Sequence, residues 1–294
     1  MTQFLRLSLP FLFVICQLAC VTTPSSNSQR LDQPGPLLWK VTKGDKTAYI
    51  FGTIHYGVTA DQLAPIVWQT LNQAKTVVLE IDIAATDHRA ISNHARIRSN
   101  QTLDQQLGSE HWLKLVTEFA GVIPGSALRE LKPATVYTLW MRKTFPKHIS
   151  MDMVIYGMAQ RDKKTVIALE TIEDQLKALD SFVTIPTLKL LIDHPTEVKT
   201  SMDSLVSQYK TGNLNKIYQQ IIAPDDGGFA PTDEQVDIII NQRNKKWMTT
   251  ILSHFSKTKD PFLVAVGCGH LAGDFGLLAL LEKKGFSVVR HQGD

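Results

Sequence analysis

Two short motifs of one form stand far apart in the chain, Gly52-Thr53-Ile54-His55 and Gly267-Cys268-Gly269-His270. Each ends an apolar run of strand type, 48–51 in one case and 261–266 in the other. Between them lie two further strand-like runs, 76–79 and 165–169, each followed by an acid, Glu80 and Glu170. Two neutral imidazoles and a carboxylate make a three-ligand set that leaves a divalent metal one open position for water, the arrangement of metallohydrolase sites. His55, His270 and Glu80 can supply that set, with Glu170 as another ligand or as the general base. Such donors do not choose among Mn²⁺, Co²⁺ and Zn²⁺ by ligand type alone. The chain lacks His-Glu-x-x-His and is no ordinary zincin. Arg243 and Trp247, four apart on one helix face, could offer a cation to a substrate carboxylate or to the catalytic glutamate. Each residue also has a plainer role: hydrogen-bonded histidines at strand ends, glutamates paired to a helix dipole or a base, a helix-surface pair.

For the two histidines to act together, their strands must end at the same place. In open α/β sheets ligands bind beyond the carboxyl ends of the strands. A glycine three residues before each histidine lets the backbone pass close to a ligand or to a neighbouring strand. The recurrence of strand with glutamate and strand with histidine suggests an internal duplication. Asp82 points the same way as Glu80 from an extended strand, or it caps the segment after it. His88, His94 and His111 fall in polar helical surroundings and read as surface residues.

The elements that hold these residues can be taken in order. Residues 37–42 and 47–51 alternate around Gly44-Asp45, a two-residue hairpin signal leading straight to His55. A helix over 65–75 carries Ile66, Val67 and Leu71 on one side. Residues 83–100 are polar and read as lying outside the core. The stretch 104–160 is helical in pattern, punctuated by Gly121, Pro124-Gly125 and Pro133. Thr171 with Asp174 forms a helix start directly after Glu170. Two or three amphipathic helices fill 185–222, broken near Pro195 and Gly212, and 224–231 is a loop. Thr232 with Gln235 caps a long helix to about residue 257. The last unit is strand, His270, helix over 274–284, turn at Gly285 and strand over 286–290. Strands at both ends with helices between predict a compact α/β core, opening with a hairpin and carrying a large helical insertion.

Composition narrows the class. Of 294 residues 44% are hydrophobic and 20% charged, an ordinary globular balance, and the formal charge of +3 is too small to argue for a nucleic-acid partner. Arg6 followed by an apolar stretch over 7–15 reads as a secretory signal covering 1–19, too short to span a bilayer. Leu18-Ala19-Cys20 has the form of a bacterial lipoprotein cleavage site, with Cys20 as the lipid-bearing residue and a flexible Ser/Thr/Pro tether to residue 36. The expected product is a globular domain over 37–294, tethered as an outer-membrane lipoprotein facing the periplasm or cell surface, or else free in the periplasm. Cleavage before Cys20 leaves Cys268 as a lone thiol, which reads as small and buried.

The residues also carry a resemblance. The runs 37–42 and 49–55, Val78-Leu79-Glu80-Ile81-Asp82, Ala168-Leu169-Glu170-Thr171 with Gln175, Arg243-Asn244 and 266–271 together resemble the TraB/PrgY/GumN family, to which the animal Tiki proteases belong, over about 37–290. The resemblance implies an erythromycin-esterase/ChaN-like α/β core sheet. For Tiki-type members it implies metal-dependent cleavage of peptides, with the two glycine-histidine motifs and a strand-end glutamate as the active centre, here His55, His270 and Glu80. Bacterial members are less uniform, so the substrate does not transfer. Two readings of function emerge: an exported metal-dependent hydrolase acting on a peptide or protein, or a periplasmic or membrane-tethered protein that binds peptide or haem and turns over nothing.

Overall fold

The computed structural model describes residues 34–85, 88–145, 149–224 and 230–293. The secretory signal, Cys20 and nearly all of the tether lie outside the described residues, as does most of the 224–231 loop.

The chain opens with the expected hairpin, β1 (Leu38–Lys43) and β2 (Lys46–Thr53), closed through Gly44 at φ 62°. Helix α1 (Pro65–Gln73) starts on Pro65, whose fixed φ suits a first turn, and buries Val67 and Leu71 on the way to β3 (Thr76–Leu79). Among the described residues six helices then lead to β4 (Thr165–Ala168), the longer ones being α2 (Ser109–Glu118), α3 (Pro133–Thr144) and α4 (Met151–Arg161). From β4 the chain runs through α5 (Ile172–Phe182), α6 (Ile185–Asp193), α7 (Pro195–Thr211), α8 (Leu214–Ile222) and α9 (Arg243–Lys257) to β5 (Phe262–Gly267). The Thr171 and Thr232 side chains accept from the amides of Asp174 and Gln235, as the capping patterns predict. A π-helical stretch, Asp237–Gln242, leads into α9. A short 3-10 turn over Cys268–His270, then α10 (Leu277–Lys283) and β6 (Ser287–Arg290), complete the chain.

The six strands form one mixed sheet in the order β4-β3-β5-β2-β1-β6. The four strands β4, β3, β5 and β2 are parallel, and β1 pairs antiparallel with β2 and β6. β3 is buried along its whole length and β5 up to its last residue, which fits apolar strands covered by helices on both faces.

The helical part is organised differently from one insertion. It forms two runs, one on either side of β4 in sequence, and these close on each other around a second apolar core. Leu103, Leu115 and Trp140 of the first run meet Leu188, Leu191 and Val198 of the second. Amphipathic helices that cannot all reach the sheet must bury their stripes against one another. Polar links along this joint explain His94 and His111, which read as surface residues. His94 joins Lys132 and Asp180, and His111 meets Asp193 at 3.0 Å, each histidine side chain only about a fifth exposed. The side chain of His88 lies outside the described residues. Among the described residues no helix is long and apolar enough to cross a membrane.

Candidate functional site

The four parallel strands deliver four chemically useful side chains to one edge of the sheet. Glu170 follows β4, Glu80 follows β3, His270 follows β5 and His55 follows β2, so carboxylates occupy one half of the edge and imidazoles the other. β2 and β5 are direct neighbours, with Thr53 opposite Gly267, so the two glycine-histidine motifs start side by side. Gly52 makes this possible, because a Cβ there would lie 2.8 Å from Leu271 and 3.1 Å from Cys268 of the other motif. Cys268 itself is free and buried, and burial pushes its thiol up to about 12, which leaves it inert.

Three of the four meet on the guanidinium of Arg243. Its Nη2 donates to Glu80 Oε2 at 2.8 Å and to Glu170 Oε1 at 2.5 Å, its Nε donates to Glu170 Oε2 at 3.0 Å, and its Nη1 lies 3.1 Å from His270 Nε2. Trp247, one turn on, donates its indole N–H to Glu170 Oε2 at 3.1 Å and lies under the guanidinium at 4.6 Å. Both oxygens of Glu170 are thus held by side chains of α9. Glu80 accepts instead from the Gly267 amide at 2.8 Å and from Gln175 at 3.0 Å, besides Arg243. Burial is the largest single influence and would raise its pKa, but the Arg243 charge, the two histidines and the Gly267 amide together outweigh it and hold Glu80 down at about 2.

The hydrogen bonds settle the tautomer of His270. Asn244 Nδ2 is committed to the carbonyls of His270 and Phe275 at 2.9 and 2.8 Å, so its Oδ1 faces His270 Nδ1 at 2.8 Å and can only accept. His270 therefore carries its proton on Nδ1 and presents a lone pair at Nε2. Burial, then the charge of Arg243, pushes its pKa down to about 3, so the ring is neutral at any physiological pH. It packs tilted against Trp247 with ring centres 4.4 Å apart.

His55 is arranged on the same plan with a different partner. Its Nδ1 is 3.1 Å from Asp152 Oδ2, and the other Asp152 oxygen accepts from Thr53 Oγ1 at 3.0 Å. A carboxylate accepts, so Nδ1 again bears the proton and Nε2 points away. Burial works against charge on this ring, but the Asp152 hydrogen bond and charge, with a further pull from Glu80, raise it to about 9. The side chain keeps 55% of its surface exposed, against 18% for Asp152.

Such fixing of Nδ1 by an acceptor of the chain is how metal-binding histidines are oriented. Yet among the described residues no three His, Cys, Asp or Glu side chains stand close enough to hold an ion, because Arg243 fills the space between Glu80, Glu170 and His270. The donors suit a divalent ion in type, provided that Arg243 turns away from His270 Nε2 and Glu80 Oε2.

Of the residues singled out from sequence, Glu80, Glu170, Arg243 and His270 are in direct contact, and His55 stands on the adjacent strand within electrostatic reach of Glu80 and Arg243. Asp82 acts as a local cap, accepting from the amides of Ala84 and Ala85. Sequence reasoning missed Asp152 and the positioning roles of Gln175 and Asn244. Asp152 sits in the first turn of α4 behind the Ser150 cap, where an acid reads as a dipole partner. Only the fold brings it to His55.

The model of the TraB/PrgY/gumN family matches residues 37–290. A curated relative, "Metalloprotease TIKI homolog" from Amphimedon queenslandica, is 21% identical over 86% of this chain, which spans 61% of that protein's length. No solved structure matches the chain. With the family match running from the first strand to the last, the chain belongs to the TraB/PrgY/gumN family.

Proposed function

We propose that this protein is a metal-dependent hydrolase of peptide bonds, with His55, His270 and Glu80 as the residues that hold a divalent ion. One observation carries the reading: both motif histidines, on adjacent strands, have Nδ1 tied to an acceptor of the chain, so Nε2 is the nitrogen each can turn to a ligand once Arg243 leaves His270 and the proton leaves His55. The relative named as a metalloprotease supports the reaction class. A bound Mn²⁺, Co²⁺ or Zn²⁺ would polarise the scissile carbonyl and acidify a water molecule at its open position.

The chain's own groups divide the remaining work. The arrangement described is a closed one, in which Arg243 neutralises Glu80 and covers His270 Nε2. Glu80 paired in this way, with its pKa near 2, is too weak a base to accept a proton at neutral pH. Turning the guanidinium off Glu80 instead frees its Oε2 to hold the ion. Glu170 and Trp247 keep hold of Arg243 through Nε and the ring face, so the released Nη groups can face negative charge developing on a carbonyl oxygen. Glu170 is then a positioning residue for Arg243, and Asp152 is one for His55.

The test is turnover of a mixed peptide library by the purified protein, with and without chelator. Cleavage that disappears with chelator and returns with Mn²⁺, Co²⁺ or Zn²⁺ is expected. The second reading, a protein that binds a peptide and turns over nothing, draws on the filling of the site by Arg243. Stoichiometric binding with no cleavage under any metal would establish it.

We also propose export and lipid attachment at Cys20, from the Arg6 and 7–15 signal and the Leu18-Ala19-Cys20 site. Acyl chains contribute about 0.8 kcal/mol per buried CH₂, so a multiply acylated end holds firmly. Full-length protein should partition with membranes and Cys20→Ser should release it or stall its processing. Wild-type protein found wholly soluble would end the claim.

A further inference from the structure

A cleft of about 230 Å³ lies among the helices of the second core, walled by Tyr137, Phe182, Leu191, Met202, Leu205 and Ile221. The amide of Gln220 and the hydroxyls of Ser201 and Thr187 already have partners. Gln220 Nε2 donates to Ser201 Oγ at 3.0 Å, and Thr187 Oγ1 donates to the Phe182 carbonyl at 3.2 Å. What is left facing the cleft is largely hydrocarbon, so a charged or strongly polar occupant would be desolvated without a partner.

Packing places this cleft beside both histidine loops. Val206, next to Leu205 on α7, lies on Gly57, two residues past His55, so closely that a Cβ on Gly57 would be 2.3 Å from Val206 Cγ2. Ile221, a wall of the cleft at the end of α8, lies on Gly269, and a Cβ there would be 3.0 Å from its Cδ1. Tyr56, immediately after His55, packs against the same second core as Tyr137 and Met202. Ile221 therefore lies between the cleft and the loop that carries His270, and α7 brings Leu205 to the cleft and Val206 to the loop that carries His55. Size limits the occupant further. Sites for drug-sized ligands run to about 300–1,000 Å³, whereas an apolar cavity of about 150 Å³ already admits benzene.

We propose that this cleft receives one large apolar side chain of the substrate, aromatic or long aliphatic, from a residue flanking the bond that is cut. The proposal rests on the peptidase reading and names its specificity. One methylene more or less in such a pocket changes discrimination by about 10–200-fold. Met202 is the residue to vary, because it is partly buried at the wall and belongs to no part of the histidine and glutamate cluster.

The experiment compares kcat/KM for matched N-acetylated peptides carrying Trp, Phe, Leu or Ala at each position flanking the cleaved bond. Wild-type protein should favour Phe or Leu over Ala at one position by at least tenfold. Met202→Trp should collapse that ratio toward one, and Met202→Ala should shift the preference to Trp, with unfolding midpoints confirming that both variants fold. Cleavage with no apolar preference, or a ratio untouched by both variants, would overturn the proposal. Saturation-transfer NMR with N-acetyl-phenylalanine amide, against the alanine amide, reads the pocket without catalysis. Selective contact that Met202→Trp removes supports the cleft even where no peptide is cut, in which case the hydrolase reading alone has failed. No contact with the phenylalanine probe, or contact unchanged in Met202→Trp, overturns the cleft itself.

Discussion

His55 and His270 occupy matching places at the ends of adjacent strands, yet the protein holds them in opposite states. His270 is buried, stacked against Trp247, fixed by the neutral amide of Asn244 and kept unprotonated by burial and by Arg243. His55 is half open to solvent, tied to the Asp152 carboxylate and drawn toward its charged form. The motif fixes where each ring stands, and the helix packed behind it fixes what the ring is. Asn244, Arg243 and Trp247 come from α9, and Asp152 comes from α4. Metal binding at such a pair must displace a guanidinium from one imidazole and a proton from the other, which makes it pH-dependent through His55.

The strongest way to break the closed half is to remove its cation. Arg243→Met leaves two buried carboxylates facing each other, and losing one partner of a buried ion pair costs about 3–5 kcal/mol. Urea unfolding of the metal-free variant should show a loss of that order. Saturating Mn²⁺ or Zn²⁺ should recover part of it, since the ion brings positive charge back to Glu80 and His270. A variant within about 1 kcal/mol of the parent would show that Arg243 is not the counter-ion of this site.

The next largest effect separates the two glutamates. Glu80→Gln should lower peptide turnover at least a hundredfold, about 2.7 kcal/mol of barrier, while Glu170→Gln should cost less. Both oxygens of Glu170 are held by Arg243 and Trp247, so its loss acts through the placement of the guanidinium. Side-by-side assays showing Glu170→Gln dead and Glu80→Gln nearly normal would reverse the assignment.

Much of this was legible in the residues, for reasons that mark where legibility stops. Period-two patterns, the Gly44-Asp45 turn and the hydroxyl-acid caps are local, and the hairpin, the strands and most helix starts follow from them. The pairing of the two glycine-histidine motifs was inferable because one spacing occurs at two strand ends. The insertion of β5 between β3 and β2, and the closing of two helical runs on a second core, depend on contacts distant in sequence. Asp152 was invisible for the same reason, since nothing near it in the chain distinguishes it from any acid in a first helical turn. Thr171 offered Glu170 a local explanation as a helix-start acid, yet its partners proved to be Arg243 and Trp247.

Sequence alone treats His55→Ala and His270→Ala as equivalents, and for metal content they should be, each abolishing tight binding by elemental analysis. For stability they should differ. His270→Ala opens a hole beside Trp247 and strands Asn244 Oδ1, and a buried acceptor left unpaired costs about 1–3 kcal/mol. His55→Ala removes a half-exposed ring and should cost less. Equal unfolding free energies would erase the contrast between the two halves, and metal content equal to the parent in both would remove the site as drawn.

The smallest effect is also the most discriminating, because the two rings should give pH dependences of opposite sign in chelated protein. His270 is depressed in the fold, to about 3 from an ordinary 6.5, so between those values the unfolded chain binds more protons and stability falls as acid is added. His55 is raised, to about 9, so between 6.5 and about 9 the folded protein binds more protons. Its stabilisation is fully present below 6.5 and is lost as pH rises through 9. Because water screens a half-exposed ring, the realised window should close well short of 9 and the amplitude should stay under about 1 kcal/mol. Thermal melts across both windows should show the alkaline decline in the parent and its absence in Asp152→Asn and in His55→Ala, with the acid-side slope intact in both. An alkaline decline that survives Asp152→Asn would mean that Asp152 does not set the state of His55, and the two histidines would then differ in exposure alone.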